Sequence, residues 1–214
     1  MAHDGTAASG AARHLPEEMI ARPSWLTQDC LDAAEGRGPR TQTIAVFRHA
    51  FFERWFARAH PVFPLLFFGP IVVGALWLAR PAGLGRMLMG VFEGWLGFSL
   101  VEYLVHRFAM HRRFPPTKAG RLEAFLVHGY HHTYPRDRMR LVMPPMVSVP
   151  LAALLAALYV LTLGRLGWAL YGGTLLGYIV YDETHYLLHH VRPHTALGRW
   201  LWRYHLLHHH THQT

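Results

Sequence analysis

The stretch His128–Pro145, HGYHHTYPRDRMRLVMPP, decides how this chain is read. It opens with His128, His131 and His132. On a helix, positions i, i+3 and i+4 share one face, so three imidazoles there can offer nitrogens to a metal together. Tyr134-Pro135 ends or bends that helix, because the residue before a proline avoids the α region. Arg136, Asp137, Arg138 and Arg140 follow as a charged cluster, and Leu141–Met143 with Pro144 and Pro145 reads as an entry to a membrane.

Apolar runs flank this stretch on both sides. Residues 61–79 carry no charge and end at Arg80; 87–105 return after the turn RPAGLGR. Residues 146–163 and 166–182 form a second such pair around Gly164-Arg165. About 20 helical residues cross a hydrocarbon core, so the pattern predicts two helical hairpins, with the last run short for a span. Pro64 and Pro70 mark expected kinks in the first run, and Gly90, Gly94 and Gly97 permit close helix approach in the second. Glu93 and Glu102 sit at membrane depth, where an acid is a functional candidate. Upstream, residues 1–43 read as a flexible segment with a short helix near Leu15–Ala21, and 44–60 as an interfacial amphipathic helix rich in Phe, Trp and Arg.

Composition agrees with a membrane protein: 51% of residues are apolar and 16% charged in a chain of 214. The net charge of +8 suits an anionic membrane surface. A nucleic-acid partner would account for the charge but not for the histidine spacing, and none is expected. One cysteine, Cys30, excludes an intrachain disulfide, and residues 1–40 lack the apolar core of a signal peptide. Basic residues gather before residue 61, between His106 and Pro145, and after His185, while only Arg80, Arg86 and Arg165 occupy the two short turns. The positive-inside rule then puts both termini and the histidines in the cytoplasm.

The histidines, 18 in all, recur in four groups where the apolar runs end. These are His106 and His111; His128, His131 and His132; His185 and His189; and His205, His208 and His209. Ten imidazoles exceed what one metal takes and suit two first-row metals in a shared polar pocket. His106 and His111 lie about 140° apart on an ideal helix, so they require a helix end or a bend. His190 points about 100° away from His189 and reads as an outer residue. Asp137, Asp182 and Glu183 are candidates to orient imidazoles through the second ring nitrogen. The alternative roles are pairing of Asp137 with Arg140 and helix capping by Asp182. Tyr134 and Tyr181 either line the pocket or stand at the membrane interface.

On HRFAMH, HGYHHTYPRDRMRLVMPP, YDETHYLLHH and YHLLHHH, the chain resembles the fatty acid hydroxylase superfamily, and more narrowly its fatty acid 2-hydroxylases, from about Trp95 to His212. The resemblance implies an all-α integral membrane protein of four transmembrane helices capped by a cytosolic histidine-rich helical domain, residues 61–214. It implies a dimetal centre on the ten histidines, functionally diiron, using O₂ and two external electrons. The reaction implied is hydroxylation of the carbon next to the carbonyl of a lipid acyl chain, sphingolipid-like or another acyl lipid. It also implies residence in a bacterial inner membrane or the endoplasmic reticulum. Residues 1–60 hold no HPGG haem motif, so electrons are expected from a separate cytochrome- or ferredoxin-type protein. Five residues follow His209, where members usually continue. Zinc outcompetes ferrous iron at nitrogen sites, so purified protein is expected to hold zinc in part. Sterol, carotenoid or aminolipid oxygenases share the same metal core. A metal-binding or transport protein shares the histidines too, but transporters place ligands near the bilayer midplane rather than at span ends.

Overall fold

The computed structural model describes residues 23–211, and the helix expected near Leu15–Ala21 lies outside them. The described chain is helical: α1 (Gln28–Ala34), α2 (Ala50–Phe56), α3 (Gly69–Ala79), α4 (Leu84–Leu104), α5 (Lys118–Ala124), α6 (Tyr130–Thr133), α7 (Pro145–Leu163), α8 (Arg165–His190) and α9 (Ala196–Thr211). Three π turns extend these helices. Pro64–Phe68 leads into α3, Val105–Met110 continues α4, and Phe125–Gly129 continues α5.

Among the described residues, three helical stretches are long and apolar enough to cross a bilayer: Pro64–Ala82, Leu84–Met110 and Pro145–Leu163. The fourth expected run, 166–182, lies in α8, which falls short on apolarity rather than length. The reason is its position. α8 packs against α3, α4 and α7 and buries Gly167, Gly172, Gly173, Gly177, Tyr171 and Tyr178. A helix enclosed by others needs small residues for close approach and presents little hydrocarbon to lipid. Phe68, Val72 and Ala75 meet Tyr171, Leu175, Tyr178 and Ile179 there, with Ala152 of α7. Meanwhile Leu66, Val73, Leu88, Phe92, Leu96, Leu154 and Leu161 point outward. Such an outward apolar surface suits lipid as solvent.

The hairpin turns sit where the sequence suggests. Gly83 at φ 89° and Gly164 at φ 58° supply backbone conformations that side-chain-bearing residues rarely adopt. Pro64 and Pro70 each occupy the first turn of their segments, where the missing amide costs least. Gly94 and Gly173 let α4 and α8 touch: a Cβ on either would lie 2.0–2.1 Å from a carbonyl oxygen of the opposing helix. Gly97, grouped with them in the sequence, faces open space.

The segment ahead of the bundle departs from expectation. Residues 23–43, whose polarity suggests a flexible tail, form a packed pad. Leu26, Cys30, Ala33, Ile44 and Val46 bury against Phe125, Tyr130 and Tyr134 of the histidine-bearing segment. Thr27 caps α1 by accepting from Cys30 N, and Thr27 N donates to Val46 O at 2.9 Å. Their partners lie about a hundred residues away, which local composition does not reveal. The helix expected over 44–60 is also shorter. Only Ala50–Phe56 is helical, started by the His49 side chain accepting from Phe51 N; Ile44 and Val46 lie outside any helix and are buried. Phe51, Phe52, Trp55 and Phe56 remain exposed.

Candidate metal centre

Two π turns aim the histidines. An α-helix closes N–H to C=O over four residues, and a π turn closes over five. In Val105–Met110, His111 N donates to His106 O at 3.1 Å, and the ring Nε2 atoms of the two residues come within 3.2 Å. The π turn thus removes the 140° separation of an ideal helix, and the helix ends at the same place. The second π turn, Phe125–Gly129, carries His128, while His131 and His132 sit on the one-turn α6 that follows. Tyr134 ends α6, as its place before proline suggests.

Nine of the ten histidines converge in two groups. One nitrogen from each of His131, His185, His189, His205 and His209 lies within 4.8 Å of all the others. His106, His111, His128 and His208 meet the same test. His128 and His131, expected to face one metal with His132, fall in different sets, although the three rings remain neighbours 4.7–5.6 Å apart. His208 likewise leaves His205 and His209. His132 belongs to neither tight set: its ring is 4.7–5.0 Å from those of His111, His128 and His208 and 4.3 Å from that of His209, between the groups.

These residues fit metal ions. Burial is the main force holding the imidazoles neutral, and neighbouring imidazoles add to it. It lowers His205 and His132 to about 4, His208 to about 3 and His209 to about 2, and holds His128 and His131 well below the ordinary imidazole value. Neutral imidazoles meeting nitrogen to nitrogen satisfy one another only where one donates. Among the described residues, His128 Nε2, His131 Nδ1 and both nitrogens of His132 are buried without a hydrogen-bond partner. Close approaches of 3.0 Å for His185–His131 and for His106–His208, and 2.6 Å for His205–His189, complete a set of lone pairs suited to soft or borderline divalent ions.

The acidic candidates land elsewhere. Asp137 is buried in the pad network: it accepts from Tyr130 at 2.7 Å, Thr43 at 2.6 Å and Met139 N at 3.0 Å, and Arg140 Nε lies 3.2 Å away. Arg140 also bonds Ile44 O and pairs with Glu53. Asp182 accepts from Met143 N at 3.3 Å where α7 begins. Glu183 is half-buried and bonds no imidazole among the described residues. His190 stacks on Tyr186 at 4.3 Å, outside both groups. Tyr134 is buried under the pad, its hydroxyl 3.3 Å from Pro39 O. The carboxylate that does reach an imidazole is Glu102, 3.3 Å from His106 Nδ1. Its signal in the sequence was the i, i+4 spacing to His106. The Tyr181 ring lies 5.9 Å from the His185 ring. Glu93 is exposed on the outer face of α4.

Two cavities reach the imidazoles. A cleft of about 1090 Å³ runs between α4, α8 and α9. Trp95, Phe98, Phe108, Val180 and Leu201 line its apolar walls, and His106, His111, His185, His205 and His208 line its end. A second cavity of about 700 Å³ meets His132, His189 and His209.

A membrane-type helical bundle carrying two convergent imidazole clusters at the end of an apolar cleft defines a membrane protein with a candidate two-metal site. Residues 91–214 match the fatty acid hydroxylase family model, and the chain belongs to that family. It is 37% identical over 143 residues to Arabidopsis thaliana dihydroceramide fatty acyl 2-hydroxylase FAH2, covering 65% of this chain and 60% of that protein. It is 43% identical over 125 residues to Saccharomyces cerevisiae ceramide very long chain fatty acid hydroxylase SCS7, covering 56% of this chain and 31% of that one. A solved structure of full-length scs7p, with only the hydroxylase domain visible, matches with a TM-score of 0.69 at 30% identity, over 88% of this chain and 72% of that chain. The chain thus matches less than two thirds of either curated relative's length.

Proposed function

We propose that this chain is a membrane-embedded, O₂-dependent hydroxylase that places oxygen on the 2-carbon of a lipid acyl chain. The substrate is of the dihydroceramide or ceramide type named for its relatives. The observation that carries the reading is the apolar cleft ending on imidazoles of both groups. A lipid chain can lie in it with a carbon near the metal centre while water is kept off the hydrocarbon.

His131, His185, His189, His205 and His209 would hold one ion, and His106, His111, His128 and His208, with His132 alongside, the other. With iron bound, such a centre supplies the O₂-derived oxidant that an unactivated C–H bond requires. One oxygen atom enters the C–H bond and the other leaves as water, which consumes two electrons and two protons. The protein's share is orientation. Glu102 fixes the His106 ring through Nδ1, so its Nε2 faces the cluster. Phe98 and Tyr181, 6.0 Å apart, flank the cleft beside His185. Iron is the working metal and zinc its competitor in purified protein. The electrons come from a separate cytochrome- or ferredoxin-type protein.

In this reading α8 crosses the bilayer as a fourth span enclosed by the other three, and 61–214 form one hydroxylase domain. The distribution of Lys and Arg favours a cytoplasmic histidine cap and cytoplasmic termini, in an inner or endoplasmic-reticulum membrane. The exposed aromatics of α2 favour its lying at the interface.

The test is lipid mass spectrometry on cells producing the chain or its His131→Ala variant. Acyl lipids that gain one oxygen at the 2-position, only with the intact histidine, are the expected result. Oxygen at another carbon or in a head group would reject the 2-hydroxylase reading while keeping the oxygenase. No oxidised lipid from iron-loaded protein with a reductant would reject both.

A further inference from the structure

The second cavity differs from the lipid cleft in what lines it and in where it opens. Its inner wall is His132, His189 and His209, its rim carries Arg136 and Arg192, and Trp202 stands in the wall. No Asp or Glu lines it among the described residues.

Its direction follows from α9. Leu197, Trp200, Tyr204 and Leu207 recur at helical spacing and are 67%, 55%, 56% and 41% exposed. Such a stripe suits the acyl boundary of a bilayer. Trp200 and Tyr204 also border the lipid cleft, which joins the stripe to the lipid side. At about 100° per residue, Trp202, Leu206 and His209 lie roughly 180° around the helix from that stripe. The second cavity therefore opens away from lipid, towards water.

The charge of the rim is uncompensated. Arg112 and Arg121 nearby are paired, with Glu123 and with Glu35 at 3.0 Å. Among the described residues no ion pair holds Arg136 or Arg192, and both are exposed along with Arg138.

We propose that this cavity is the docking site of the electron donor, a small soluble one-electron carrier protein with an acidic face. The inference rests on the hydroxylase reading, in which each turnover takes up two electrons, delivered singly by two carrier molecules in turn. The aqueous mouth lets a donor approach His132, His189 and His209 without entering the lipid cleft. Unpaired arginines around it attract an acidic surface, steer its encounter and make binding salt-dependent.

The experiment uses the full chain in lipid nanodiscs and two acidic probes, a soluble b-type haem domain and a plant-type [2Fe–2S] ferredoxin. Kd is measured by calorimetry across a salt series, and hydroxylation is followed with either the carrier or dithionite as reductant. The double variant Arg136→Glu/Arg192→Glu is compared with Arg86→Glu, which lies in the first turn of α4. At least one probe is expected to bind the unaltered chain with affinity that falls as salt rises. The double variant should weaken that binding at least tenfold and flatten the salt response, with Arg86→Glu within twofold of wild type. Carrier-driven turnover should fall through a raised KM for the carrier, while dithionite-driven product persists and shows that the centre is intact. A double variant that binds the carrier as wild type does would overturn the proposal, as would no binding of either probe at low salt. Absence of hydroxylated lipid with dithionite in every variant would instead sink the hydroxylase reading, whatever the binding result.

Discussion

The two imidazole groups solve one problem by different local geometry. The group of five is built on two ordinary helical pairs, His185/His189 on α8 and His205/His209 on α9, with His131 inserted from α6. Both pairs have i, i+4 spacing, which an α-helix places on one face. His131 and His209 are buried. The group of four depends on a π turn for its His106/His111 pair, draws His128 from a second π turn, and has every member partly exposed. One group is thus more buried and set largely by regular helices. The other is more open and set by irregular ones.

Removing a histidine from each is the largest expected perturbation. His131→Ala and His111→Ala should each release one of two metal ions and leave the other bound, with hydroxylation down more than about 100-fold, since even outer-shell changes cost 10–100-fold. Metal analysis of purified protein, alongside lipid mass spectrometry, reads both. Loss of both ions from His131→Ala but of one from His111→Ala would show that the more buried group organises the open one.

A milder test touches only the open group. Glu102→Gln keeps the shape of the side chain facing His106 Nδ1 but removes its charge. Metal affinity there should fall about 10–100-fold, and affinity at the group of five should hold. A chelator series with metal readout separates the two. Equal weakening of both would mean that Glu102 supports α4 rather than a ligand.

The same contrast explains what could be read in advance. The ten histidines and their four clusters were legible, because each pair or triplet lies within a few residues. The two-group division was not. HGYHH keeps its three imidazoles together, with rings 4.7–5.6 Å apart, but His128 and His131 join different sets, completed by histidines that come from distant segments of the chain. Asp137 and Arg140 stood beside the cluster in sequence, yet they serve the pad through Thr43, Ile44 and Glu53, partners some ninety residues earlier. Polar composition hid residues 23–43 for the same reason. In the membrane half, hairpins, turns and apolar runs were legible, but not that α8 is the helix against which α3, α4 and α7 all pack.

Acid should act on both groups with one sign. His111, His128, His131, His132, His185, His189, His205, His208 and His209 are held below the ordinary value near 6.5, so an unfolded chain takes up protons that the folded chain refuses. In metal-free protein this contribution is present above about pH 6.5. It should be lost progressively as pH falls towards about 4 for His132 and His205, and towards about 2 for His209. Thermal melts of chelator-stripped protein across that range should fall with acidification. Melting that rose on acidification would reverse the sign and imply charged, stabilised imidazoles.

The smallest effect probes what the groups share. Tyr130 lies between His128 and His131 but points away from both, into the pad. Its hydroxyl donates to Asp137 at 2.7 Å and accepts from Ile44 N at 3.2 Å, and the Arg140 guanidinium covers its ring at 4.7 Å. Tyr130→Phe removes the hydroxyl and leaves the ring. The loss should be about 1 kcal/mol in denaturant melts, the usual net worth of such a bond, because Asp137 keeps Thr43, Met139 N and Arg140. Because one turn supplies a ligand candidate to each group, any loosening should lower metal affinity at both equally and slightly. An effect confined to one group would place the hinge between them elsewhere, at the π turn itself rather than at its anchor in the pad.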